Sequence, residues 1–136
     1  MMVTSYGDGL ICVWDIEIGN GEFRIKFRFP LFGHLTKVNH LKLIDKSTLV
    51  SCGQDCTARI WNLQEENCWR LFKFSDPATY ACADLERNLL FVGSYDRSVK
   101  AIDLKTGEVD RSFIACREAI RCLLIHENFL YVAGDD

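Results

Sequence analysis

The 136-residue chain has little proline and no long apolar run. Its two prolines, Pro30 and Pro77, each follow a segment with strand-like alternation, where a proline removes no ladder hydrogen bond. No run approaches the roughly 18 apolar residues of a spanning helix, and the opening MMVTSYGDG lacks the charged and apolar regions of a secretory signal. We expect no membrane association, a cytoplasmic or nuclear location, and no helix, because helical periodicity is missing.

The chain also lacks an excess of positive charge. It has 16 basic and 19 acidic residues, a formal net charge of -3, and 49% hydrophobic residues. This composition is typical of one small globular domain. Because binding through phosphate contacts requires a basic surface, the composition argues against a general nucleic-acid binder.

Seven cysteines are present, but no C-x-x-C pair. We expect reduced, buried thiols that act as small hydrophobic residues, as is usual inside cells. Cys52 and Cys56, with Cys68 and His40, offer weak spacing for zinc, so we predict no metal and no cofactor. Cys82 and Cys122 lie 40 positions apart and are predicted to be equivalent buried residues.

One eight-residue outline occurs three times, as DGLICVWD, DCTARIWN and DRSVKAID. Each copy begins with an acid that is followed six positions later by a large apolar residue. The acids are Asp8, Asp55, Asp96 and the final Asp136, at intervals of 47, 41 and 40, and the apolar residues are Trp14, Trp61 and Ile102. A fixed period of this length indicates a repeat architecture.

Each unit contains four short alternating or β-branched segments that predict strands. Residues 49–53 match 90–94 and 130–134; residues 38–43 match 80–85 and 120–125; the last strands are predicted at 23–29, 68–74 and 109–113. The count is 13 strands. We divide them into a partial unit at 1–32, full units at 33–74 and 75–114, and the first two strands of a further unit at 115–136.

These units resemble the WD-repeat family of β-propellers, which has a Gly-His pair near one end of each repeat and Trp-Asp near the other. The best match runs from Gly33-His34 to Trp61-Asn62. The resemblance implies an all-β partial propeller of four-stranded antiparallel blades. It also implies a structural tetrad in which His34 bridges Asp55 and Ser51 and the Trp61 ring nitrogen donates to the Ser51 hydroxyl.

The later units depart from this pattern. Ser75-Asp76 and Ala115-Cys116 stand at the predicted Gly-His places, Val92 at the Ser place and Ile102 at the Trp place. We expect these blades to depend on apolar packing. Because propellers usually have four to eight blades, the chain is either part of a longer propeller or self-assembles, with residues 120–132 joining residues 10–29 of another copy.

Ser51, His34 and Asp55 are also the residue types of a hydrolase triad. However, no Gly-x-Ser-x-Gly elbow surrounds the serine, and the same Asp recurs in units that lack the His. The sequence therefore favours a structural role and predicts no catalytic residue.

In WD-repeat proteins, partners bind residues beside the turn acid and at the start of the innermost strand. Transferred to this chain, these top-face positions are Lys37, Asn39, Gln54, Thr79, Tyr95, Arg97, Arg121 and Asp135. Tyr95 with Arg97 is the first candidate, because Tyr and Arg carry a large share of interface energy. An ordinary exposed turn is the alternative.

A second candidate surface is the cationic row of Arg24, Lys26 and Arg28, opposite Phe23, Ile25, Phe27 and Phe29 on an alternating strand. It could meet an acidic peptide or RNA phosphate, but charges on an edge strand more often prevent unwanted pairing. The predicted function is a non-enzymatic scaffold that binds proteins or peptides. The alternatives are a substrate-recognition adaptor of a ubiquitin ligase and an RNA- or chromatin-associated propeller.

Overall fold

Thirteen β-strands follow one another in the computed structural model, which describes residues 1–136. In chain order they are β1 (Met2–Ser5), β2 (Ile11–Gly19), β3 (Glu22–Leu31), β4 (Val38–Leu43), β5 (Thr48–Gly53), β6 (Thr57–Asn62), β7 (Asn67–Lys73), β8 (Ala78–Asp84), β9 (Leu89–Ser94), β10 (Ser98–Asp103), β11 (Glu108–Ile114), β12 (Ile120–His126) and β13 (Phe129–Gly134). The structure contains no helix long and apolar enough to cross a membrane.

The strands form four antiparallel sheets, and within each sheet the strands lie in the order of the sequence. Sheet 1 consists of β1–β3, sheet 2 of β4–β7, sheet 3 of β8–β11 and sheet 4 of β12–β13. Short hairpin connections explain this topology, because only antiparallel strands can be joined by a few residues. The predicted all-β class and the predicted number of strands are confirmed.

Neighbouring sheets pack face to face through three apolar clusters. Sheets 1 and 2 meet through Ile11, Val13, Phe29, Leu31, Val38, Leu49, Trp61 and Leu63. Sheets 2 and 3 meet through Val50, Cys52, Ala58, Ile60, Phe72, Phe74, Ala78, Ala81, Leu90, Val92 and Ile102. Sheets 3 and 4 meet through Cys82, Val99, Ile120 and Leu123. Since the first strands β4, β8 and β12 also lie side by side, the sheets are consecutive blades of a partial β-propeller.

The register corrects one predicted alignment. Val38, Ala78 and Ile120 occupy the same position, opposite Gly53, Ser94 and Gly134 respectively. The match of 80–85 to 38–43 is therefore wrong by two residues. The physical reason is that the connection from the first strand to the second differs in length between sheets. The last equivalent pairs are Leu43 with Leu49, Ala83 with Leu90 and Ile125 with Leu130. The residues between them are 44–48 in sheet 2, 84–89 in sheet 3 and 126–129 in sheet 4.

The predicted equivalence of Cys82 and Cys122 is wrong for the same reason. Cys82 shares its position with Lys42, and Cys122 shares its position with His40 and Tyr80. Cys82 is buried, whereas Cys122 is exposed. The two thiols therefore do not fill one repeated packing position.

At the two ends of the arc, β1 and β13 each have one unpaired edge. β1 already pairs with β2 over four residues, from Met2 opposite Trp14 to Ser5 opposite Ile11. A second copy that contributed β12 and β13 to complete sheet 1 would therefore have to displace β1 from β2.

Candidate functional site

The four predicted tetrad side chains lie together in sheet 2. The Trp61 Nε1–H group donates to Ser51 Oγ at 2.8 Å, and Ser51 Oγ lies 2.6 Å from His34 Nε2. His34 Nδ1 lies 3.0 Å from both carboxylate oxygens of Asp55. All three are buried: His34 exposes 6% of its surface, and Ser51 and Trp61 expose 1% or less. The chain of bonds thus links the segment before β4 to β5, to the β5–β6 turn and to β6.

Local structure sets these positions. Asp55 begins the turn into β6 and accepts hydrogen bonds from the Thr57 amide at 3.2 Å and the Thr57 hydroxyl at 2.7 Å. Gly53 lies directly beside the imidazole, and a Cβ there would contact His34 Nδ1 and the Asp55 carboxylate at less than van der Waals distance. The glycine is therefore required by the approach of the His34 ring.

Burial decides the protonation state of His34. It lowers the pKa of His34 below its ordinary 6.5, although the Asp55 hydrogen bond and charge act in the opposite direction. A neutral ring fits the geometry, because Nδ1–H then donates to Asp55 while Nε2 accepts from the Ser51 hydroxyl. Burial alone would raise the pKa of Asp55, but hydrogen bonds from Thr57, the Leu35 amide and His34 outweigh it and lower that pKa.

This geometry is poorly suited to nucleophilic catalysis. Ser51 is fully buried, and its hydroxyl is hydrogen-bonded to both His34 and Trp61. A substrate carbonyl therefore cannot approach Ser51 Oγ. A buried polar chain in which every member has a partner stabilises and orients the strands around it.

The turn acids repeat one feature of the tetrad. Their carboxylates accept a backbone N–H from the segment that precedes the first strand of the same sheet. The pairs are Leu35 N to Asp55 Oδ2 at 3.0 Å, Ser75 N to Asp96 Oδ2 at 3.1 Å and Arg117 N to Asp136 Oδ2 at 3.0 Å. Asp8 is exposed and accepts only from the Leu10 amide, at 3.1 Å.

These bonds identify the residues that replace His34 in the later sheets. His34 precedes Leu35, so Phe74 holds its position in sheet 3 and Cys116 in sheet 4. The predicted assignment of this place to Ser75-Asp76 is wrong by two residues, as the alignment of the first strand is, because the connection between β8 and β9 is longer than those of sheets 2 and 4. Phe74, Val92 and Ile102 are all buried members of one cluster, so apolar side chains replace the three buried tetrad groups together.

Sheet 1 contains a partner that sequence reasoning missed. Thr4 Oγ1 accepts a hydrogen bond from Trp14 Nε1 at 2.9 Å, as Ser51 does from Trp61. Thr4 lies four positions before Asp8, just as Ser51 lies four before Asp55. That spacing was the available signal.

At the top face, which we define as the edge of the sheets that carries the turn acids, three candidates form one cluster. Arg121 donates from Nε and Nη2 to the two carboxylate oxygens of Asp135, at 2.8 and 2.6 Å. Its Nη1 donates to the Tyr95 hydroxyl, and its Cζ lies 4.5 Å from the centre of the Tyr95 ring. The hydrogen bonds and charge of Asp135 raise the pKa of Arg121, which keeps it charged. Tyr95 thus pairs with Arg121 of the next sheet.

The other top-face candidates differ in accessibility. Lys37, Gln54 and Arg97 are exposed. Asn39 donates from Nδ2 to Ala78 O at 2.9 Å and to Gln54 Oε1 at 3.4 Å. Thr79 is only 9% exposed and donates its hydroxyl to Gly93 O at 3.1 Å, which leaves little of its surface to a partner.

The metal and cationic candidates are not supported by geometry. No group of three or more His, Cys, Asp and Glu side chains is placed to hold a metal ion. The cationic row lies on β3, where Arg24 faces Glu17, Lys26 faces Asp15, and Arg28 Nη1 lies 3.7 Å from Asp15 Oδ1. The acids of β2 therefore offset part of its charge.

Comparison with known proteins agrees with the fold. The family model described as "WD domain, G-beta repeat" matches residues 25–62, which include His34, Ser51, Asp55 and Trp61. This stretch of the chain is therefore a WD repeat. The computationally designed Ika8 protein, solved by crystallography, superimposes with a TM-score of 0.81 at 23% identity, over 97% of this chain and 39% of the designed one.

Several curated proteins match longer segments of the chain. The mouse target of rapamycin complex subunit LST8 is 39% identical over 84 residues, 60% of this chain and 26% of the relative. Protein tipD of Dictyostelium discoideum is 32% identical over 113 residues, 79% of this chain and 17% of the relative. The ribosome biogenesis protein WDR12 homolog of Drosophila mojavensis is 25% identical over 96% of this chain and 35% of the relative. The chain spans about a third or less of the length of these relatives.

Two single substitutions test the hydrogen-bonded tetrad of sheet 2 and the apolar packing that replaces it in sheet 3. We expect Ser51→Val to lower the free energy of unfolding by about 3 kcal/mol, because it leaves His34 Nε2 and Trp61 Nε1 buried without partners. We expect Val92→Ser to lower it by about 2 kcal/mol, because it buries a hydroxyl among apolar side chains. Urea titration followed by tryptophan fluorescence measures both.

The control is the triple variant His34→Phe, Ser51→Val and Trp61→Ile, which copies sheet 3 into sheet 2. It should lose less stability than the sum of the single changes, since it leaves no buried group unpaired. Neutral effects of both single substitutions would contradict the assigned roles.

Stability should fall when the pH is lowered from 8 to 5. Burial lowers the pKa of both His34 and His40 below 6.5, so the unfolded chain binds more protons than the folded one in this range. Asp55, whose pKa is also lowered, stays ionised in both states there, and its contribution is lost only below about pH 4. Urea titration at each pH gives the slope. His40→Asn removes the His40 share, and a flat profile in that variant would contradict the assignment to His34.

Proposed function

We propose that this WD-repeat chain acts as a non-enzymatic scaffold that binds proteins or peptides at its top face. The repeat boundaries at 1–32, 33–74, 75–114 and 115–136 and a cytoplasmic or nuclear location belong to the same proposal. The observation that carries it is the cluster of Tyr95, Arg121 and Asp135 across the seam between sheets 3 and 4.

This cluster suits recognition because its Arg is already held in place. The two hydrogen bonds from Arg121 to Asp135 fix the guanidinium plane, and the Tyr95 ring lies against it. A side chain that is ordered before binding loses less conformational entropy when a partner arrives. Tyr and Arg are also the residue types that most often carry binding energy at interfaces.

Two exposed cations of the top face can attract a partner with acidic side chains. The turn acids Asp55, Asp96 and Asp136 are all engaged by backbone amides, and Asp135 is engaged by Arg121. Lys37 and Arg97 are exposed and make no ion pair. Their charges are therefore free to attract an acidic peptide.

At a finer level, we propose a role as a subunit of a multiprotein assembly, since the matching mouse protein is named as a subunit of the target of rapamycin complex. A substrate-recognition adaptor of a ubiquitin ligase is a narrower form of this role. An RNA- or chromatin-associated propeller is the second candidate, because one relative is named a ribosome biogenesis protein. The net charge of -3 argues against it.

Tyr95→Ala tests the proposed site. Peptides of matched length that carry either acidic or basic side chains are presented on an array, and the purified chain is applied to it. We expect the chain to select acidic peptides, and we expect Tyr95→Ala to weaken their binding about tenfold or more, because the ring contact and the support for Arg121 are both lost.

Lys105→Ala is the matched control, because Lys105 is exposed at the opposite edge of sheet 3. It should leave peptide binding unchanged. Equal binding by the parent chain and Tyr95→Ala would contradict the assigned site, and selection of RNA over every peptide would favour the second candidate.

A further inference from the structure

Sheet 1 carries a projection that sheets 2 and 3 lack. In all three, the third and fourth strands pair at equivalent positions, Asp15 with Lys26, Asn62 with Asn67 and Asp103 with Glu108. Residues 63–66 and 104–107 connect these pairs in sheets 2 and 3, whereas residues 16–25 do so in sheet 1. The six additional residues extend β2 and β3 beyond the bottom edge of the sheet. We call residues 16–25 the finger.

The finger is a regular hairpin. Ile16 pairs with Ile25, Glu17 with Arg24, and Ile18 with Phe23. Asn20 and Gly21 close it with φ values of 52° and 77°, the left-handed pair of a type I′ turn, whose twist matches that of the strands. The additional residues therefore form a defined structure.

The two faces of the finger differ. Alternation places Ile16, Ile18, Phe23 and Ile25 on one face, in line with Phe27, and the charged pair Glu17 and Arg24 on the other. A bulge at Arg28 ends this row, so that Phe29 lies on the opposite side and is buried against sheet 2. The predicted row of Phe23, Ile25, Phe27 and Phe29 on one face is thus wrong at Phe29.

The apolar face is open to solvent. Ile16, Ile18, Phe23, Ile25 and Phe27 expose 41%, 83%, 69%, 48% and 49% of their surface. At about 200 Å² for a side chain of this size, the exposed surface is about 600 Å², the size at which an apolar patch on a soluble protein is often functional.

Ordinary blade packing does not account for the outer part of this face. In sheet 2 the equivalent face is covered by sheet 1, where Trp61 is 1% exposed and Leu63 is 4% exposed. Leu63 corresponds to Ile16, and the chain of sheet 2 turns immediately after it. A neighbouring sheet of ordinary length would therefore reach Ile16 but leave Ile18 and Phe23 uncovered.

We propose that the apolar face of the finger is an interface between two copies of this chain. An isologous contact places the same patch against itself, so a charge on it would oppose its own copy. This face has none, and on the opposite face of the hairpin Glu17 lies across from Arg24. Ile18 and Phe23, which no sheet of ordinary length covers, expose about 300 Å² in each copy. Two copies would therefore bury about 600 Å² through them, a small area that fits weak, reversible association.

Sedimentation equilibrium of the purified 136-residue chain tests the interface. The parent chain should show a reversible monomer–dimer equilibrium, and the double substitution Ile18→Lys and Phe23→Lys should weaken it about tenfold or more, because it places like charges against each other. Arg24→Ala, on the opposite face of the same strand, should leave the equilibrium unchanged. Neither change reaches the core, so thermal unfolding should remain close to that of the parent.

A second variant separates the finger from the open ends of the arc. Replacing residues 16–25 by Leu-Gln-Glu-Glu, the connection of sheet 2, removes the finger and keeps both ends. It should also abolish the dimer. A parent chain that stays monomeric up to about 1 mM would overturn the proposal, as would a dimer that persists in either finger variant, since it would then arise from the terminal sheets.

Discussion

The bond between a turn carboxylate and the segment that enters the same sheet is the interaction on which the arrangement of this chain depends. It recurs at Asp55, Asp96 and Asp136 with almost the same distance, while the side chains around it change. Each bond joins the start of a sheet's first strand to the turn between its second and third strands. Because these points are some 20 residues apart in sequence, the bond fixes where a new sheet begins relative to its own turn, and hence how it meets the sheet before it.

The groups around this carboxylate show two solutions to one packing problem. Sheet 2 fills the space with His34, Ser51 and Trp61, which are buried and fully paired, and sheet 3 fills it with Phe74, Val92 and Ile102. A satisfied polar chain and an apolar cluster of similar volume can stabilise a fold to similar extents, whereas a mixture of the two leaves buried groups without partners. This explains why all three residues differ together between the sheets.

The sequence allowed prediction of the class, the number of strands and the tetrad residues, because these depend on local alternation and on a period that sheet 2 displays in full. It gave the wrong alignment at Tyr80, Phe74 and Cys82, because linkers and turns of different length change the spacing without changing the fold. The pairing of Tyr95 with Arg121 depends on the packing of two sheets and has no local signal. The bulge that separates Phe27 from Phe29 likewise interrupts an alternation that looks perfect in the sequence.

The candidate surfaces arise where a unit departs from the repeat. The turn acids of sheets 2, 3 and 4 recur in each of these units, and their carboxylates are engaged by backbone amides. The Tyr95–Arg121 pair and the finger have no counterpart in sheet 2, so the packing of blades does not require them. Tyr95 and Arg121 lie at the edge that carries the turn acids, whereas the finger extends from the opposite edge, and one copy could therefore use both surfaces at the same time. A scaffold with a binding face at one edge and a self-association face at the other would present two partners side by side without either contact interfering with the other.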